Sequence, residues 1–214
     1  MTSPRIIKGG LVQMDPTSGA TLQVIALQYN PDQLSRSLQV QSSGSDGGDH
    51  SQALRLKGTA VETLKLDTEI DATDYLENPD QNPVAIESGI HPQLAVLELL
   101  VQPRADALLA NDALARRGVL EVLPVQTPLT LFVWGRKRVV PVRITDLSIT
   151  EEAFDANLNP IRAKVSIGMR VLSVDDLGFD HRGGTAFISH LRSRESLAGT
   201  AGSAALSALG LEAI

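Results

Sequence analysis

From Ile161 to Val171 the chain alternates without error. Ile161, Ala163, Val165, Ile167, Met169 and Val171 are apolar; Arg162, Lys164, Ser166, Gly168 and Arg170 are charged, polar or glycine. A strand turns successive side chains to opposite faces, so this period of two predicts a long strand over 161–172 with one dry face. A second long strand is predicted over 54–67, where Leu54, Leu56, Gly58, Ala60, Leu64 and Leu66 share one parity. Val61 and Glu62 break that pattern, which predicts a bulge there. Residues 5–14, interrupted by Gly9-Gly10, and 21–29 read as a first hairpin around the turn Asp15-Pro16-Thr17-Ser18-Gly19. Further strands are predicted at 119–125, 129–134 and 139–149. Residues 32–38 read as a short helix or an extended arm.

Helical spacing is confined to one region. Pro92 stands where a helix favours its first residue, and Leu94, Leu97 and Leu100 or Val101 follow on one face before Pro103. A second stretch, Ala105 to Arg117, ends at Gly118 with two arginines in its last turn. Residues 71–91 read as a polar loop with one helical turn at 74–78. The predicted class is α+β, mainly antiparallel: a closed or nearly closed β-barrel over 1–172, with a helical insertion at about 92–117. Residues 41–52 read as a flexible polar loop. Residues 173–214, rich in Gly, Ser and Ala, read as a C-terminal extension that orders only against a partner.

Composition narrows the chemistry. Among 214 residues only 3% are aromatic, so the core must be aliphatic and base-stacking platforms are unexpected. The net charge of −6 argues against a general nucleic-acid or anionic-membrane binder. An acidic stretch over 62–87 and a basic one over 136–143 could pair between subunits or simply be solvated. With no cysteine, disulfides and thiolate metal sites are excluded. The N-terminus lacks the apolar segment of a secretory signal and no run is long enough to cross a membrane, so a cytoplasmic, soluble chain is expected.

Catalytic motifs are missing from the sequence. His50, His91, His181 and His190 include no pair at i, i+4 spacing, and there is neither Gly-x-Ser-x-Gly nor Gly-x-Gly-x-x-Gly. Glu151-Glu152 and Asp175-Asp176 read as turn or helix-start residues rather than acid–base pairs. No enzyme activity, metal or cofactor is expected. The single tryptophan, Trp134, sits at a strand end before Gly135. It reads equally as an interface anchor or as a core residue closing one end of the barrel.

Three stretches in order resemble one family. Leu27-Gln28-Tyr29-Asn30-Pro31-Asp32-Gln33-Leu34-Ser35-Arg36-Ser37 is similar to its "F/Q-x-N-P-x-x-I/L-x-R-S" opening. Leu129 to Gly135 is similar to its "P-x-x-L-F-x-W-G". Pro141 through Phe154 to Asn159-Pro160-Ile161-Arg162-Ala163 is similar to the segment leading into its long strand. Over roughly 5–172 the chain thus resembles the tube-domain proteins of contractile injection systems and contractile phage baseplates. The resemblance implies a tube-like β-barrel subunit that forms hexameric rings at the baseplate, between spike or hub and inner tube. Implied partners are copies of itself and adjacent tube, spike, hub and baseplate proteins, with no nucleic acid and no membrane insertion. The implied setting is cytoplasmic assembly into a phage-tail-like particle that can be released. Many members continue into a LysM domain; the 173–214 segment shows no such pattern, so glycan binding is not carried over. Expected subunit-interface residues are Tyr29, Asn30, Pro31, Arg36, Trp134, Phe154, Arg162, Lys164 and Arg170. A competing reading is a monomeric β-barrel that binds a ligand or cell wall, with Trp134 as a stacking platform.

Overall fold

The computed structural model describes residues 6–42, 55–117, 127–202 and 206–209. The strand predicted at 119–125 and most of the 41–52 loop lie outside these residues. Seven strands form one antiparallel sheet: β1 (Gly10–Met14), β2 (Thr21–Ala26), β3 (Leu34–Gln39), β4 (Val61–Asp71), β5 (Leu129–Val133), β6 (Val139–Glu151) and β7 (Arg162–Val171). Their order across the sheet is β2-β1-β5-β6-β7-β4-β3. The predicted α+β class and the first hairpin are present. The 32–38 arm is a strand, β3, registered so that Leu34 opposes Leu66 and Gln39 opposes Val61.

The alternation of the long strand is realised in its packing. Ala163, Val165, Ile167, Met169 and Val171 are all buried, and the opposite parity is more exposed. Across the ladder, the core-facing Leu64, Leu66 and Ile70 of β4 continue the same apolar layer. The expected bulge at Val61–Glu62 is absent, because the β3–β4 register runs unbroken through it. A bulge occurs instead in β6, between Ile144 and Asp146 opposite Gly168. Two short α-helices, α1 (Thr73–Leu76) and α2 (Pro83–Ser88), precede α3 (His91–Glu98) and α4 (Ala105–Arg116). The insertion therefore begins well before residue 92. Ile90, Leu94 and Leu97 enter the core and cap the apolar layer.

Among the described strands no ladder joins β2 to β3, so the expected barrel is not closed by hydrogen bonding. The sheet is nevertheless strongly curled. Laid flat, the outer strands of a seven-stranded sheet would stand about 29 Å apart. The linker 27–33 could barely span that fully extended. Yet Gln28, two residues beyond β2, already touches the backbone of Asp71 at the end of β4. The two edges are therefore brought round to one another, and the 27–33 backbone joins them covalently.

The C-terminal segment folds onto this chain's own sheet. Ser173 caps α5 (Val174–Leu177) in a capping box with Asp176. The 19-residue α6 (Arg182–Thr200) follows and packs on β6, sending Phe187 into the core. Within this chain, residues 174–200 meet the sheet through buried apolar and ionic contacts.

Candidate functional site

The sequence pattern turned the apolar parity of β4 inward, and that row includes Glu62. Its residue is 4% exposed. A buried carboxylate must be paired or it neutralises. Here Arg194 of α6 donates to both of its oxygens at 2.9 and 2.7 Å, and Nε of Arg36 in β3 donates to Oε1 at 2.8 Å. Burial pushes the Glu62 carboxyl up, but the two arginines outweigh it and hold it below the ordinary value. Arg138, in the turn between β5 and β6, lies in the same field: burial, Arg36 and Arg194 pull its pKa down while Glu62 raises it. The pattern break at Glu62 was the visible signal of this cluster. An acidic residue in an apolar row can mark a bulge or a buried ion pair; only the partners distinguish them.

The interface residues expected from the sequence fall in separate parts of the fold. Arg36 belongs to the Glu62 cluster. Asn30 is a tie rather than a free contact: its amide receives Gly9 N–H at 2.8 Å and donates to Ile7 O at 2.9 Å. Tyr29, Pro31 and Lys164 line an open polar cleft with Asp67, Glu69 and Ser166. Tyr29 and Phe154 are exposed.

The basic row of β7 is matched by carboxylates of the same chain. Arg162 opposes Asp71 and reaches it at 3.0 Å; Lys164 reaches Glu152 at 2.6 Å; Arg170 reaches Asp176 at 2.8 Å. These contacts raise the pKa of Arg162, chiefly through Asp71, and that of Lys164, chiefly through Glu152. The face that β7 turns away from the core is thus a mixed-charge surface.

Trp134 is half-buried and stacks on Phe132, with ring centroids 5.8 Å apart. Gly9 lies against the same indole, so close that a Cβ would stand 2.5 Å from Cε3. The ring is occupied by its own chain, which weighs against its use as a sugar platform. Among the described residues no group of histidine and carboxylates has the arrangement of a metal site, and no helix is long and apolar enough to cross a membrane.

What the fold leaves open are its edges. Among the described residues, β2 pairs only with β1, and β3 only with β4. Leu22 and Val24 on β2 are 57% and 65% exposed, and Leu38 on β3 is 50% exposed, with Val40 beyond it. Unpaired strand edges carrying exposed apolar side chains invite another chain.

No protein-family model matches the chain, and no curated protein matches it. Two solved structures are similar to it over most of their length. One is the tail of an empty GTA particle, computed with helical refinement and C6 symmetry, at 14% identity and a TM-score of 0.28, covering 76% of this chain and 90% of that chain. The other is the six-fold symmetrised baseplate of the anti-feeding prophage, at 14% identity and a TM-score of 0.26, covering 80% of this chain and 94% of that chain.

Proposed function

We propose that this protein is a structural subunit of a contractile injection system or contractile phage-like tail. In this reading it forms a hexameric ring at the baseplate, joins the spike or hub to the inner tube and initiates tube assembly. It turns over no substrate and uses no cofactor. It assembles in the cytoplasm as part of a phage-tail-like particle, touching copies of itself and adjacent tube, hub and baseplate proteins. The tube-like barrel of the family corresponds here to the curled sheet whose edges are linked through residues 27–33.

The observation that carries the proposal is the pair of apolar sheet edges, β2 and β3, that no other described strand covers, on a chain whose three sequence stretches resemble tube-domain proteins in order. Closed cyclic assembly would cover such edges without leaving filament ends. Native mass spectrometry and negative-stain imaging of the full chain, with and without its neighbouring tail proteins, test it. Six-membered rings, or incorporation into larger particles, are expected. A protein that stays monomeric at every concentration and never enters a particle would overturn the proposal in favour of a stand-alone module.

A further inference from the structure

The helix α6 is fastened to the sheet at three points. At its start Arg182 donates to the carbonyls of Thr17 and Ser18 in the β1–β2 turn, at 3.2 and 3.0 Å. In its middle Phe187 enters the core. In its second half Arg194 clamps Glu62. Between the last two lies His190, one helical turn before Arg194. His190 is 6% exposed, and neither ring nitrogen has a hydrogen-bond partner among the described residues. A buried imidazole without partners is tolerated only while neutral.

We propose that α6 is an acid-released strap: protonation of His190 undocks the second half of the helix from the sheet. Among the described residues, the charged groups that act on the imidazole are Arg36 on β3, Glu62 on β4, Arg138 in the β5–β6 turn and Arg194 on α6 itself. Three cations already surround one carboxylate. A proton on His190 adds a fourth, on a ring that is buried and has no hydrogen-bond partner among the described residues. Burial first, then Arg194, hold the imidazole below its ordinary value of 6.5, with Glu62 opposing and Arg138 and Arg36 adding to the depression. The released imidazole binds its proton more tightly than the docked one, so docking is favoured at neutral pH and weakens as pH falls below about 6.5. Glu62 keeps its charge through this window, because its carboxyl is held below 4.5. The clamp is therefore lost by repulsion, not by neutralising the carboxylate. The device needs no ring assembly and stands apart from the proposed structural role.

Hydrogen exchange of the full chain at about pH 7.5 and about pH 5.5, corrected for intrinsic rates, reads the release directly. Amides of residues 188–200 should exchange faster in acid, by up to about tenfold at pH 5.5, one unit below the ordinary imidazole value of 6.5. Amides of β7 should keep their protection. His190→Gln should abolish the acid effect. His181, whose Nδ1 accepts from Gly183 N–H at the start of α6, is the rival trigger; His181→Asn keeps a cap acceptor that does not titrate and should leave the effect intact. Unchanged protection in acid, equal acceleration in His190→Gln, or loss of the effect in His181→Asn would each overturn the proposal. Should His190→Gln fail to fold, an NMR titration of the native imidazole decides: a midpoint at or above 6.5 sinks it.

Discussion

The side-chain amide of Gln28 completes a strand edge. It donates to the carbonyl of Asp71 at 2.7 Å and accepts the Asp71 N–H at 2.9 Å, across 43 residues of sequence. A carboxamide carries one donor and one acceptor in the spacing of a peptide group, so it satisfies the last backbone pair of β4 where β3 has not yet begun. This contact ties the end of β2 to the far side of the sheet and helps hold the curl.

Gln28→Ala should therefore cost about 1–3 kcal/mol, the range for leaving half-buried backbone groups unpaired. Gln28→Glu should recover only part of it, since the carboxylate can accept from Asp71 N–H but faces the carbonyl without a donor. Urea unfolding of the two variants, read at constant slope, checks both.

The fit of Gly9 against Trp134 makes a sharper steric prediction. An added Cβ would lie 2.5 Å from Cε3 and 2.6 Å from Cζ3 of the indole. The indole is held on Phe132 and has little room to move. Gly9→Ala should destabilise by about 2 kcal/mol through overpacking. Adding Trp134→Leu should relieve part of that loss, so the two changes should be non-additive in a double-mutant cycle. Additive losses would mean the ring and the glycine do not constrain one another.

Removing the carboxylate of Glu62 leaves two arginines facing each other. Glu62→Gln should cost about 2 kcal/mol, less than a fully buried pair, because the Arg36 and Arg194 side chains keep 29% and 30% exposure. The pH dependence has a definite sign. The folded carboxyl lies below its ordinary 4.5, so the unfolded chain binds the proton more tightly. Its contribution is present above about pH 4.5 and is lost as pH falls through the folded value. Denaturation midpoints of native and Glu62→Gln protein should converge in that acid range.

Val24→Lys places a charge on the exposed β2 edge. Away from buried features it should change monomer stability by no more than about 0.5 kcal/mol. Ring or particle formation should be abolished, because an edge lysine opposes strand addition. Sedimentation alongside thermal unfolding separates the two effects; intact assembly in Val24→Lys would remove β2 from the interface.

The 161–171 strand was plain, because its period of two is decided by local chemistry and the buried layer needed every apolar residue it supplied. The edge strand β3 was ambiguous: Leu34-Ser35-Arg36-Ser37-Leu38-Gln39 has few apolar residues, and its strand form comes from backbone pairing with β4. Glu62 stood out as a break in its row, but its meaning depended on Arg194, 132 residues away. The helix α6 was weak in its sequence pattern, since its docking rests on a few anchors: Arg182, Phe187 and Arg194. The basic row of β7 was visible, while its neutralisation by Asp71, Glu152 and Asp176 was not.

By itself the sequence determined the antiparallel α+β class, the inward row of β7, the first hairpin and the paired leucines of α3, because each follows from periodicity within about a dozen residues. The tertiary structure alone decided that the sheet curls without closing its ladder, that Glu62 is clamped rather than bulged, that Trp134 is engaged by its own chain and that α6 straps the sheet. Each of these depends on groups far apart in sequence whose meeting costs chain entropy, and no local pattern records where that cost is met.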